Sequence, residues 1–180
     1  MGEESVNFDE LVLKHKDKVF NLCYRFLGDY DEADDCAQET FVKVFRSLKG
    51  FRFESSVSTW IYRIAVNTCK NRLKSAQYRG SRNMVRLDEP RETGDGEQTV
   101  EVQGKSLSPS AELDRKEKGG LIQAAINSLP ADQKSVVVLR DVEGLSYEEI
   151  SEATGYNLGT VKSKLARARQ ELREKLKGLV

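Results

Sequence analysis

Lys162, Ser163, Lys164, Arg167 and Arg169 stand close together near the C-terminus, interleaved with Val161 and Leu165 at helical spacing. Ammonium and guanidinium groups along a helix can hold phosphates or pair with guanine acceptors in a major groove, and a serine hydroxyl can serve either. A second stretch, FRFESSVSTWIYRIAVNTCKNRLKSAQYR, interleaves Phe51, Phe53, Trp60, Tyr62 and Tyr78 with Arg and Lys. Aromatic faces stack unpaired bases while basic groups hold the backbone, the chemistry of single-strand capture. Asn67 and Asn71 lie one helical turn apart, so both amides can meet one ligand from one face. Trp60, Ile61, Ile64 and Ala65 also fit the stripe of a packed core, and Trp60 reads mainly as core. The residues alone leave both readings of this segment open.

Other chemistries lack their residues. His15 is the only histidine, which argues against a zinc centre or a Ser-His-Asp triad. Cys23, Cys36 and Cys69 are odd in number and widely spaced, giving no disulfide framework and no Cys-x-x-Cys pair. That usage fits a reducing cytoplasm, with no metal and no cofactor expected. No Gly-rich phosphate loop is present. The Asp29–Asp35 cluster invites a metal reading, but acidic residues are common in the first turn of a helix. The longest aliphatic run is Val136–Leu139, far short of the ~20 residues that span a bilayer. No charged-then-apolar leader opens the chain, which argues against secretion.

The 180 residues carry 29 basic and 29 acidic side chains, yet the balance is not local. All charges from Gly28 to Glu39 and from Asp141 to Glu152 are negative. Lys49 to Arg82 holds eight basic residues against Glu54 alone, and Lys162 to Lys177 seven against Glu171 and Glu174. Such blocks suit a polyanion-binding surface beside a separate protein-docking surface, or else solvated helix faces.

These residues need helices to position them. Phe8, Leu11, Val12, Val19, Phe20, Cys23, Phe26 and Leu27 predict a first amphipathic helix ended by Gly28. Ala33, Cys36, Ala37, Thr40, Phe41, Val44, Phe45 and Leu48 predict a second, stopped by Gly50. A third begins after Ser58-Thr59 as N-cap and buries Ile61, Ile64, Ala65 and Thr68. The pattern lapses between about Gly80 and Ser110, a polar stretch too poor in large apolar residues to offset ordering entropy. Helical period resumes from about Ala111, with a break at Pro130. Ser146 with Glu149 forms a capping box, Gly155 permits a tight turn, and a second helix starts near Leu158. This is helix-turn-helix logic, with Ile150, Val161 and Leu165 as its apolar contacts. The fold expected is all-α: an N-terminal helical bundle (1–82), a flexible acidic linker (83–110) and a C-terminal helix-turn-helix domain (111–180).

On these motifs the chain resembles the extracytoplasmic-function sigma factors, the small two-domain specificity subunits of bacterial RNA polymerase. DEADDCAQETFVKVFRSLKGFR resembles the family's polymerase-docking segment, STWIYRIAVNTCKNRLK its promoter-melting helix, and LPADQKSVVVLRDVEGLSYEEISEATGYNLGTVKSKLARAR its −35-binding domain. The resemblance implies that Asp35, Gln38, Glu39, Lys43 and Arg46 lie against the β′ clamp helices of core polymerase, with the β flap as a second contact. It implies that the loop from Arg52 to Ser58, with Ser55 and Ser56, receives a flipped −10 base. Asn67, Lys70, Asn71 and Lys74 would then face the −10 strand, and Arg140, Lys162, Ser163, Lys164, Arg167 and Arg169 the −35 duplex. Ala166 departs from the family, some of whose recognition helices carry aromatic residues near their middle. Further implications are promoter DNA and an anti-sigma factor as partners, a free monomer, a cytoplasmic location, no membrane insertion and no catalysis. An ordinary dimeric helix-turn-helix regulator is the alternative, but it has no need of the aromatic-basic segment Phe51–Arg79.

Overall fold

Asn7 and Asp29 open the first two helices in the same way. Each side-chain oxygen accepts a backbone amide, from Asp9 at 3.0 Å and from Glu32 at 2.9 Å, filling one of the orphan donors of a helix start. In the computed structural model, which describes residues 7–83 and 108–178, α1 spans Phe8–Leu27, α2 Tyr30–Ser47 and α3 Val57–Asn83. A 3-10 turn, Leu48–Gly50, follows α2. The second group comprises α4 (Pro109–Asn127), α5 (Ala131–Val137, continued by a π-helical turn Val138–Val142), α6 (Tyr147–Thr154) and α7 (Leu158–Lys175). Every described element is helical, as an all-α chain requires.

The expected stripes form the core. Leu11, Val19, Cys23 and Phe26 of α1 meet Ala33, Cys36, Ala37 and Val44 of α2 and Ile61, Ala65, Val66 and Cys69 of α3, all buried. Burying each large aliphatic or aromatic side chain contributes about 1.5–3 kcal/mol. Leu22, outside the expected stripe, is fully buried, whereas Phe8, Val12, Phe20 and Phe41 are only partly covered and Phe45, expected in the stripe of α2, is exposed. One boundary differs from expectation. α3 begins at Val57, and Ser56 rather than Ser58-Thr59 caps it, its Oγ accepting the Thr59 amide at 3.1 Å. Ser56 and Ser58 both precede helical residues, and only the backbone turn decides between them.

The helix-turn-helix is built as the spacing predicts. Ser146 Oγ accepts the Glu149 amide at 3.1 Å while Glu149 accepts the Ser146 amide at 2.8 Å. Gly155 ends α6 at φ +77°, a conformation that a side chain penalises. Ile150, Val161 and Leu165 are buried between the helices.

The expected linker lies outside the described residues except at its ends, which are helical: α3 runs to Asn83 and α4 starts at Pro109. The side chains of Tyr78, Arg79 and Arg82 lie outside as well. The two helical groups share one apolar core, with the end of α1 against α4 and α3 against α6. At that seam Lys134, buried, donates to the carbonyls of Phe26 at 3.1 Å and Asn127 at 3.3 Å. Its ammonium thus sits at the C-terminal ends of α1 and α4, where carbonyls lack helical partners. Arg25 donates to Gln123 at 3.0 Å, and Gln123 donates back to the Arg25 carbonyl at 3.1 Å and to Asn127 at 2.9 Å.

Gly28 closes α1 at φ +73°, and a Cβ there would overlap the Asn127 side chain. Left-handed backbone costs a non-glycine residue about 1–2 kcal/mol, and here Asn127 must also leave Gln123. Gly28→Ala should therefore lower the unfolding free energy by roughly 2 kcal/mol in urea denaturation. An unchanged midpoint would show that the seam does not close on Gly28.

Candidate nucleic-acid interface

Asn157 starts α7 by accepting the Thr160 amide at 2.8 Å. Val161, Leu165 and Ala168 turn inward, which leaves Lys162, Ser163, Ala166, Arg167 and Arg169 facing outward. Lys162 and Arg167 make no ion pair among the described residues, and the Lys162 ammonium has only the face of the Tyr147 ring, 5.8 Å away, as a partner, so both charges can meet phosphate or a base edge. Arg169 is committed elsewhere: its Nε and Nη2 bind the Asp141 carboxylate at 3.0 and 2.5 Å. Ser163 donates back to the Thr160 carbonyl at 3.1 Å. Arg140 is turned into the fold, donating to the Leu145 carbonyl at 2.6 Å with its guanidinium 4.9 Å from the Tyr147 ring. In this state it braces the loop that carries the helix-turn-helix.

On α3, Asn67, Asn71 and Lys74 are exposed on one face. Ahead of that face, Phe51 packs its ring 4.6 Å from Trp60 and 4.7 Å from Phe53. Trp60 is thus half-buried in an aromatic cluster, in keeping with a mainly structural role. Phe53 has φ +55°, the left-handed region, which bulky side chains rarely adopt. It is 58% exposed, with Arg52 and Ser55 beside it in the loop. Of the serines, Ser56 is already engaged with Thr59, its hydroxyl lying 2.8 Å from the Thr59 hydroxyl, and Ser58 sits half-buried in the first turn.

Lys70 does not join the exposed face of α3. Its ammonium, on a side chain only 16% exposed, donates to the Tyr156 hydroxyl at 2.8 Å and lies 3.6 Å from Asp132. Lys164 of α7 reaches the same carboxylate at 3.3 Å, and Tyr156 donates to it at 2.6 Å. One lysine expected on each DNA surface therefore converges on Asp132 across the seam. The Tyr156 hydrogen bond, then Lys164, hold the Asp132 carboxyl below the usual carboxylate range, while burial pulls Lys70 below the usual ammonium range. Nearby, Tyr62 donates to Glu143 at 3.0 Å, and burial raises the Glu143 carboxyl.

The acidic face of α2 is exposed as expected at Asp35, Gln38, Glu39 and Arg46, with Lys43 half-buried. Arg72 of α3 spans it, 2.8 Å from Glu32, 3.3 Å from Glu39 and 3.9 Å from Asp35. Lys43 pairs with Glu39 at 2.7 Å, and that contact, more than Arg72, holds the Glu39 carboxyl down. Beside this face, Phe8, Val12, Gln38, Phe41, Val42 and Phe45 line an open apolar groove.

Sequence reasoning missed Asp132, Lys134, Glu143 and Tyr156, since no local pattern announces a contact between distant segments. Lys134, next to the apolar run Val136–Leu139, was the one available signal: a charge among core positions needs a partner. Asp132 binds two ammonium groups and a phenol, yet its side chain is 53% exposed, so the lock is worth only about 1–2 kcal/mol in all. Asp132→Ala should therefore speed amide hydrogen exchange along the α3–α6 seam roughly tenfold, with exchange at the α1–α2 contact unchanged. Unaltered seam exchange would mean that apolar packing alone holds the halves together.

Comparison with known proteins fits this arrangement. Residues 11–79 match the Sigma-70 region 2 family and residues 120–172 the Sigma-70 region 4 family. The chain is 38% identical to the RNA polymerase sigma-H factor of Pseudomonas aeruginosa, over 96% of this chain and 88% of that one. It is 39% identical to the ECF RNA polymerase sigma-E factor of Haemophilus influenzae, over 96% of this chain and 89% of that one. Among solved structures it resembles the sigma factor RpoE in complex with the anti-sigma factor NepR from Bartonella quintana (TM-score 0.72, 23% identity, covering 95% and 97% of the two chains). It also resembles CnrH in complex with the cytosolic domain of CnrY (TM-score 0.64, 21% identity, covering 96% and 91%). With both family regions in order and relatives of this identity matched along most of their length, the chain belongs to the extracytoplasmic-function sigma factors of RNA polymerase.

Proposed function

We propose that this chain directs core RNA polymerase to its promoters, reading the −35 element through α7 and melting the −10 element along α3. The observation that carries the reading is a pair of basic surfaces of different character. Lys162 and Arg167 stand exposed and outside any ion pair among the described residues on a capped recognition helix, and Asn67, Asn71 and Lys74 share one exposed face beside an aromatic loop. Duplex readout needs the first, and capture of an unpaired strand needs the second. The division of labour follows: residues 1–82 dock on polymerase and open the −10 element, residues 83–110 connect, and residues 111–180 bind the −35 element.

Docking uses Asp35, Gln38, Glu39, Lys43 and Arg46 against the β′ clamp helices, and the C-terminal domain against the β flap. The apolar groove that Gln38 helps to line adds buried area to an otherwise polar contact. Arg52, Ser55, Ser56 and Ser58 frame the loop that takes the flipped base, with Phe53 exposed at its rim. Lys70 is freed from Asp132 when the halves part, whereas Lys164, whose partners Asp132 and Tyr156 lie in its own half, must exchange them to reach DNA, as Arg140 and Arg169 must exchange theirs. An anti-sigma factor is a further partner, in line with the neighbours solved with such proteins. The chain acts in the cytoplasm, as a monomer when free, without catalysis or cofactor of its own. No described helix is long and apolar enough to cross a membrane.

Run-off transcription from a genomic promoter library, with core polymerase and the chain, tests the reading. Promoter-specific transcripts should require both, and their absence would overturn it. Within that assay, Asn71→Ala should reduce permanganate reactivity of −10 thymines far more than closed-complex binding. Equal opening would return α3 to a purely structural role.

Arg167→Ala tests the duplex contact. A bidentate guanine contact is worth about 1–3 kcal/mol of discrimination, so the variant should lose roughly tenfold or more of its −35 preference in competition binding by the holoenzyme. A uniform loss across sequences, with a shallower salt dependence, would make Arg167 a phosphate contact instead.

A further inference from the structure

Cys23, Cys36 and Cys69 are far apart in sequence, yet α1, α2 and α3 each bring one sulfur to the same point. The three Sγ atoms lie within 4.8 Å of one another, with Cys36 and Cys69 3.5 Å apart, and all three residues are fully buried. The expectation of no metal site follows from the lone histidine and the lack of Cys-x-x-Cys spacing, and tertiary convergence of cysteines needs neither. We propose that these cysteines form a three-thiolate site for a soft divalent d10 cation of the cadmium–mercury class.

Geometry, donor set and charge all bear on this. Even at the zinc–sulfur distance of about 2.3 Å, an ion centred among three sulfurs holds them about 4 Å apart, and a larger soft ion holds them somewhat farther. Loading therefore asks Cys36 and Cys69 to part by about half an ångström or more from their 3.5 Å separation, while Cys23 already lies within reach. No histidine or carboxylate joins the sulfurs among the described residues. Structural zinc takes four ligands and iron–sulfur clusters four cysteines, while magnesium and calcium need oxygen. A soft ion content with three thiolates fits the set as it stands. Three thiolates and a divalent ion carry a net charge of −1. Arg72 lies close enough for its positive charge to be felt at Cys23 and Cys36. A monovalent ion would leave two negative charges in an apolar interior, a costlier arrangement. On binding, each thiol forms a metal–sulfur bond and releases its proton, three per ion.

The test uses the reduced full-length chain titrated with Cd(II). The expected result is one Cd(II) per chain, a thiolate-to-metal charge-transfer band, three protons released, a 113Cd resonance in the sulfur-rich range and X-ray absorption counting three sulfurs. Zn(II) should compete poorly for want of a fourth ligand. Cys36→Ala should weaken Cd(II) binding roughly a hundredfold or more while circular dichroism shows the helices intact. The sulfur count in the unaltered protein stands even where that variant fails to fold. Coordination by two sulfurs or fewer, zinc bound as tightly as cadmium, or equal affinity in a folded Cys36→Ala chain would overturn the site and leave three thiols that merely fill the core.

Discussion

The arrangement of this molecule turns on one buried ammonium. Lys134 sits at the junction of α1, α4 and α5, donating to the last-turn carbonyl of α1 and the final carbonyl of α4. Removing a charge from water is costly, and among the described residues no carboxylate pairs with it to compensate. Two helix C-termini do so instead, since their carbonyls lack intrahelical partners and carry the negative end of the macrodipole. The cost is recovered only where both termini are present. Lys134 therefore favours the geometry in which the two halves meet, and burial lowers its affinity for a proton in that geometry.

With the end of α1 fixed against α4, α3 comes to lie on α6, and the polar contacts beyond follow. Tyr62 reaches Glu143, and Lys70 and Lys164 meet at Asp132. These contacts differ in weight. The Asp132 cluster is half open to water, where each exposed pair is worth about 0–1 kcal/mol. The apolar residues along the seam, which belong to one continuous core, outweigh it. A polyanion or a large protein partner offers many contacts at once, so the lock can yield without the helices unfolding. Of the two lysines only Lys70 crosses between the halves, so parting them breaks its contact with Asp132 and leaves Lys164 paired.

The sequence is most legible where the physics is local. The capping box at Ser146, the left-handed Gly155 and Gly28, and the stripe through Ala33, Cys36, Ala37 and Val44 all follow from spacing, because each involves residues within a turn or two. Even locally, choosing between Ser56 and Ser58 as the cap needed the backbone. The sites divide in the same way. Asn67, Asn71 and Lys74 stand where the helical wheel puts them, as do Lys162 and Arg167. Lys70, Arg140 and Arg169 carry the right charge in the right helix, but their partners come from distant segments that no period reveals. The three cysteines are the extreme case, since their meeting depends on the packing of three helices.

Arg72 shows how a charge block becomes a surface with a preference. Read as a run, the acids of α2 look equivalent. Folded, they are ranked by their distance from one guanidinium. Glu32 is bound at 2.8 Å, and Glu39 is held by both Arg72 and Lys43. Asp35 is only 3.9 Å from Arg72, with 68% of its side chain exposed. A basic partner must displace an existing cation to gain Glu39, so that much of the attraction is an exchange, but it meets Asp35 nearly unshielded. Asp35 is thus more available than Glu39 to any cationic group that approaches this face. Arg72 itself comes from α3, so the acidic face of α2 and the helix that carries Asn67, Asn71 and Lys74 are joined through one side chain.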